Sequence, residues 1–195
     1  RSEGYTTSIG VRQGRRISPD YFSISTLTAA FWSTIAESFL YADDGMNVVY
    51  PDSIEECNAM LQAVALDLAN WYDLVGLSLN VKKSEVMGFG FTPNPIVLNN
   101  ETILPSKAIK FLGLNIQSDL KWNVHVDAIC NKIRASAGRI RFEGRNHRVK
   151  DRRQLYFAWT QGCLFANGLA FLPRINTSEK NKIQVACNSA IRAVL

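Results

Sequence analysis

The sequence predicts an α+β body over residues 1–120 followed by an all-helical tail over residues 121–195. Three observations predict it. Alternating apolar and small residues around Asp-Asp-Gly and Asn-Asn read as hairpins in the first part, whereas apolar residues after Trp122 recur at helical spacing. Charge divides at the same place: residues 1–120 hold 8 Lys/Arg and 13 Asp/Glu, and residues 121–195 hold 14 and 4. Finally, 47% hydrophobic against 20% charged over 195 residues is ample for a buried core, and excludes a disordered, collagen-like or disulfide-scaffold chain. The net charge of +5 thus sums an acidic part suited to cations and a basic part suited to a polyanion.

Element by element, residues 5–19 are rich in Gly, Thr, Ser and Arg and read as a loop that Ser18-Pro19 closes ahead of a helix over 21–36. Phe39 to Tyr50 reads as a β-hairpin with Asp43-Asp44-Gly45 at its tip. Ser53-Ile54-Glu55-Glu56 has the spacing of a capping box. It opens a helix whose Cys57, Met60, Leu61, Val64, Leu68 and Trp71 share a face, and Gly76 ends that helix. Short strands are expected at 78–81 and 85–91, a hairpin with an Asn99-Asn100 turn at 96–103, and one strand at 109–116. In the tail, Val126, Ile129, Cys130, Ile133, Ala137 and Ile140 form one helical face, with Lys132, Arg134, Arg139 and Arg141 off it. Asp151 and Ser178 are expected to cap two further helices.

Cys57, Cys130, Cys163 and Cys187 are widely spaced, with no zinc-ligand spacing, so free thiols in a reducing intracellular compartment, nucleus or cytoplasm, are expected. No secretory leader is read. Residues 154–173 lack charge, but Gln154, Gln161, Asn167 and Pro173 make them too polar for a comfortable membrane span, and no membrane partner is expected. Arg1 in place of Met, and an apolar helical pattern still running at Leu195, are expected of a piece of something larger.

The sharpest chemical feature is Tyr41-Ala42-Asp43-Asp44. Two adjacent carboxylates repel one another, and a divalent cation with a preference for hard oxygen ligands, Mg²⁺, removes that cost. The plain alternative is an Asp-Asp-Gly turn with no further role. Three other blocks accompany it. In Gly10–Pro19, two glycines allow a ligand close to the backbone, Gln13 can position a base edge, and Arg12, Arg15 and Arg16 can hold phosphates. Gly76–Glu85 places Lys82 and Lys83 after a tight turn, where a lysine can donate a proton to a leaving pyrophosphate. Lys110-Phe111-Leu112-Gly113-Leu114 puts a glycine in a strand, open to a nucleic-acid backbone. A flexible basic loop, a solvated strand end and a core strand are the respective plain alternatives.

In this order the four blocks resemble the boxes of non-LTR (LINE-type) retrotransposon reverse transcriptases. The resemblance covers nearly the whole chain, since Leu120–Val126, Leu155-Tyr156 and Ile183 to Arg192 are similar to the family's thumb-side segments. It implies a reverse-transcriptase-like palm, an antiparallel sheet with packed helices, followed by a basic helical thumb. The activity it implies is RNA-directed DNA synthesis by two-metal nucleotidyl transfer, with Asp43 and Asp44 holding Mg²⁺ and Lys83 as proton donor. By the same resemblance Arg12, Gln13, Gly14 and Tyr41 flank template and nucleotide, and Phe111, Leu112 and Gly113 support the primer. Partners so implied are an RNA template, an RNA–DNA duplex, deoxynucleotides, and other protein chains supplying missing parts.

Lys132, Arg134, Arg139, Arg141, Arg145, Arg148, Lys150, Arg152 and Arg153 are expected to contact duplex phosphates without reading sequence. The sequence also departs from the family. Its first catalytic carboxylate belongs to a box preceding Gly10, so no polymerisation by this chain alone is expected. Arg15-Arg16 and Asp20-Tyr21 replace the residues usual at those places, which fits the alternative of a domesticated or degenerate relative serving as a non-catalytic RNA-binding or assembly subunit.

Overall fold

The computed structural model describes residues 16–195 and divides the chain into two compact units, Arg1–Ser106 and Lys107–Leu195. The first opens with α1 (Ser18–Thr26), whose Pro19 sits in the first turn, followed by a 3₁₀ turn at Leu27–Phe31. This helix is shorter than the expected 21–36. Ser25 Oγ donates to Tyr21 O at 2.6 Å and Thr26 Oγ1 to Phe22 O at 2.9 Å, back-bonds that weaken helix continuation. α1 also buries no residue, so packing does not extend it.

β1 (Glu37–Tyr41) and β2 (Asp44–Val48) pair antiparallel with Tyr41 opposite Asp44. α2 (Ile54–Leu74) is the spine of this unit. Ser53 Oγ accepts the Glu56 N–H as a cap, while Glu56 reaches past Ser53 to accept the Asp52 N–H, so only half of the expected box forms. At its end Gly76 takes φ +73° and Leu77 N–H returns to Tyr72 O at 2.8 Å. Of the expected stripe, Cys57, Val64 and Trp71 are buried; Met60, Leu61 and Leu68 are half-buried. Trp71 Nε1–H donates to Thr28 Oγ1, tying the 3₁₀ turn to α2.

The strands expected at 78–81 and 85–91 are absent. Asn80 O instead accepts the backbone N–H of Lys83 and Ser84 together with the Ser84 hydroxyl, which winds Val81–Lys83 into a 3₁₀ turn. Val86 forms a single bridge to Pro105. Gly88, Gly90 at φ +79°, Pro93 and Pro95 prevent a longer ladder. β3 (Ile96–Leu98) and β4 (Glu101–Ile103) form the expected hairpin. Its Asn99 and Asn100 both lie at positive φ, as a two-residue primed turn needs. Gln62 clamps it to α2, accepting from Val97 N–H and donating to Val97 O. Val86, Ile96 and Ile103 pack together with Leu61 and Ala65 of α2.

The second unit starts with β5 (Ala108–Phe111) and β6 (Leu114–Gln117), a hairpin where one strand was expected, because Leu112 and Gly113 both take positive φ. It belongs with the helices rather than with the residues before 106. Leu114 packs on their core, and His125 Nδ1 accepts the Asn115 N–H at 3.2 Å. With the boundary there, the charge split widens: 6 Lys/Arg and 12 Asp/Glu in Arg1–Ser106, 16 and 5 in Lys107–Leu195.

α3 (Asn123–Glu143) buries every residue of its expected apolar face. α4 (Val149–Tyr156), a π turn at Phe157–Gln161, α5 (Gly162–Phe165), α6 (Gly168–Phe171) and α7 (Thr177–Val194) follow. Ile133, Ile140, Phe171, Ala186 and Ala190, none measurably exposed, join α3, α6 and α7 into one core. Each large side chain so buried contributes about 1.5–3 kcal/mol. The expected caps are displaced: α4 starts after Arg148 without a side-chain cap, and Asn176, not Ser178, caps α7 in a complete box with Glu179.

The architecture is therefore mixed helix and strand, with the strands in three separate two-stranded pairs among the described residues, not one sheet. Strands of three to five residues joined by two-residue turns leave little edge to extend, and Ile96 and Ile103 of β3–β4 and Leu114 of β6 pack on helices instead. No helix among the described residues is long and apolar enough to cross a membrane. All four cysteines are free, Cys57 and Cys130 buried, and burial pushes the Cys57 thiol up in pKa.

Candidate functional site

Asp43 and Asp44 lie at the hairpin tip, as the sequence predicts: Ala42 and Asp43 form the two-residue turn and Asp44 opens β2. The turn needs a left-handed first residue, and Ala42 supplies it at φ +52° despite its Cβ. A non-glycine residue held there costs about 1–3 kcal/mol, and such strain concentrates at functional tips. Both carboxylates are exposed and neither makes a hydrogen bond or ion pair among the described residues. Asp43 is nevertheless close enough to α2 to be felt there: burial first, then the Asp43 charge, pushes the Tyr72 phenol up in pKa.

The base of the hairpin is fixed by Ser38 Oγ–H to Asn47 Oδ1 at 2.6 Å and Tyr50 O–H to Glu37 Oε2 at 2.9 Å. That second bond, reinforced by the Glu37 charge, raises the Tyr50 pKa. Among the described residues, no three His, Cys, Asp or Glu side chains gather as a metal site. The pair fits a hard cation bound by one or two carboxylates with water completing its shell, and falls short of a protein-only cage.

Lys83, on the 3₁₀ turn Val81–Lys83, is exposed and makes no ion pair among the described residues. Tyr41 pairs with Asp44 across the hairpin and is largely exposed. Arg12, Gln13 and Gly14 lie outside the described residues.

Phe111, Leu112 and Gly113 lie in the second unit, at the end of β5 and in the turn to β6. Gly113 is required: at φ +83° a Cβ would stand 3.2 Å from Asn167 Nδ2. Asn167 holds this turn by donating to Leu112 O at 3.0 Å. Sequence reasoning missed Asn167 and His125. His125 carried a legible signal, since it lies four residues before Ile129 on the buried face of α3. Asn167 carried none.

The nine basic residues are not equivalent. Arg139 pairs with Glu143 at 3.3 Å and lies over Trp159, 4.3 Å from the ring centre. Arg134 donates to Asn131, Arg141 to Ser189, and Arg153 stacks over Phe157. Arg152 is spent inside the unit: its stem packs on Gly144, its Nη2 donates to Leu195 O, and its Nε is buried. The side chains of Lys132, Arg145, Arg148 and Lys150 are exposed and make no hydrogen bond or ion pair among the described residues, leaving them available to phosphates.

Comparison with protein-family models, with curated proteins and with solved structures found nothing that matches this chain.

Proposed function

We propose that the chain is the palm and thumb portion of a non-LTR-type reverse transcriptase, an RNA-directed DNA polymerase. One observation supports the reading above the rest: two adjacent carboxylates, without an ion-pair partner among the described residues, at the tip of a hairpin whose turn residue, Ala42, is held in a strained conformation. An ordinary solvent turn has no need of that combination. In the proposed reaction Asp43 and Asp44 hold Mg²⁺, which when bound activates a primer hydroxyl and steadies the leaving group. Lys83 supplies a proton to the departing pyrophosphate, and the Phe111–Gly113 turn supports the primer strand. The test joins the chain in frame to an upstream segment carrying a Phe/Tyr-x-Asp strand. RNA-templated primer extension is expected, and Asp43→Ala is expected to abolish it. Extension unchanged by Asp43→Ala overturns the catalytic role.

A second reading, a non-catalytic RNA-binding or assembly subunit, is favoured by the lack of a third carboxylate near the pair among the described residues and by the charge of the second unit. It predicts salt-sensitive RNA affinity without metal binding at Asp43.

A further inference from the structure

One side of α3 faces the segment from Trp159 to Asn167. At one end of this seam Ser136 Oγ–H donates to Lys132 O at 2.9 Å and to Trp159 O at 3.2 Å, which holds the π turn against the helix. The Trp159 ring is half-buried there, with the Arg139 guanidinium over it. The Arg139 side chain keeps 59% of its surface exposed, so the stack is open to a further planar group. Glu143, its ion-pair partner one turn on, is also exposed, and such a surface pair yields readily to a phosphate.

At the other end the two elements enclose a cavity of about 250 Å³. Leu112, Ile129 and Ala166 give it apolar walls, and no carboxylate lines it. Asn167 lines it too, with one Nδ2–H committed to Leu112 O. Its Oδ1 and second amide hydrogen make no bond among the described residues. An amide with a donor and an acceptor to spare suits the edge of a nucleobase. Lys132, exposed and with its side chain unbonded among the described residues, adds a cation beside the opening.

Size and charge select what enters. The volume lies below the range of about 300–1,000 Å³ usual for pockets that enclose a whole ligand, so one ring system fits and its sugar and phosphate stay outside. A base inside a duplex is paired and stacked and cannot enter, whereas an unpaired base turns out of its strand at little cost. Lys132 and Arg139 lie on the same side of α3, about 10 Å apart along its axis, and give the strand's phosphates two cations to follow. α3 then leads to the exposed Arg145 and Arg148, in a unit with 16 Lys/Arg against 5 Asp/Glu.

We propose that this side of α3 binds single-stranded nucleic acid, an unpaired base entering the cavity and its neighbour stacking on the Arg139–Trp159 pair. The site uses residues of the second unit only and does not rest on the polymerase reading. It deepens the RNA-binding reading and fails separately from it: loss of all RNA binding counts against both, whereas binding indifferent to bases or strandedness counts against this proposal alone.

The test is fluorescence anisotropy of the full chain with a labelled oligoadenylate of about eight nucleotides, at about 150 mM salt. Comparators are a base-free strand of the same length, a blunt RNA duplex of the same length, and adenosine monophosphate. The single strand is expected to bind about fivefold or more tighter than the base-free strand, and tighter than the duplex despite the duplex's greater charge. Ala166→Leu fills the cavity, and Arg139→Lys keeps the charge but loses the plane. Each is expected to lower single-strand affinity about fivefold or more while duplex affinity and the urea midpoint stay unchanged. Arg134→Ala, on the opposite side of α3, is expected to leave the ratio of the two affinities unchanged. If Ala166→Leu lowers the urea midpoint, the Gly113 and Ala166 amide resonances decide: a saturable shift with the single strand supports the site, and none overturns it. Equal affinity for the base-free strand, a duplex or adenosine monophosphate bound as tightly as the oligomer, or selectivity retained in either folded variant overturns the proposal.

Discussion

Ala42→Gly separates the hairpin described here from an ordinary strand connection by the sign of its effect. At φ +52° an alanine pays about 1–2 kcal/mol for the left-handed conformation. Glycine removes that cost but has about 0.5–1 kcal/mol more chain entropy to lose. The residue is exposed, so deleting its methyl forfeits little buried surface. The net is a stabilisation of the β1–β2 pair of about 0.5–1 kcal/mol. Amide hydrogen exchange of Phe39, Tyr41, Asp44 and Met46, whose N–H groups face the partner strand in this register, reads it locally, independent of the second unit. Exchange is expected to slow about two- to fivefold. If Ala42 instead has ordinary extended backbone, glycine weakens the strand and exchange quickens. Faster exchange refutes the strained tip, and with it the main support for a functional hairpin.

Burial, with the Lys132 charge, lowers the His125 pKa from its ordinary 6.5. The unfolded state therefore binds more protons as pH falls below about 7, and stability is lost on acidification through the lowered value. One proton limits the slope to about 1.4 kcal/mol per pH unit. Exchange of the α3 amides between pH 7.5 and 5.5, corrected for intrinsic rates, checks this, and stability that rises on acidification contradicts it. Asn176→Ala is expected to cost about 0.5–2 kcal/mol of α7 stability by urea unfolding, whereas Ser178→Ala, which removes no cap, should stay within about 0.5 kcal/mol. Arg148→Ala and Lys150→Ala should each lower the salt slope of RNA-duplex affinity by about 1. Arg152→Ala, which loses packing on Gly144, should lower stability and leave that slope unchanged.

The long helices were legible because periodicity reports burial directly: the α3 face from Val126 to Ile140 is buried residue for residue. Turn chemistry was legible where the residue type itself favours positive φ, as at Asn99-Asn100 and Gly76. It was hidden where the conformation is imposed on an unsuited residue. Leu112 at φ +46° gives no local sign of a turn, so Ile109–Ile116 read as one strand instead of a hairpin. Competition between local hydrogen bonds was equally hidden. Asn80 and Ser84 wind a 3₁₀ turn where alternation suggested a strand, and Asn176 outcompetes Ser178 as a cap because Glu179 completes its box. At the candidate site, position in the chain placed Asp43 and Asp44 at a tip. It could not foresee that Arg152 turns inward while the Arg148 and Lys150 side chains make no bond among the described residues, since that depends on Gly144 accepting the arginine stem.

The central claim, a divalent-cation site at Asp43–Asp44, is tested most directly by titrating the labelled chain with Mn²⁺ at sub-stoichiometric amounts and following backbone amide relaxation. The account predicts broadening centred on Ala42–Gly45, competed by Mg²⁺ and lost in Asp43→Asn. Broadening that spreads evenly over the acidic surface, or that survives Asp43→Asn at the tip, contradicts it.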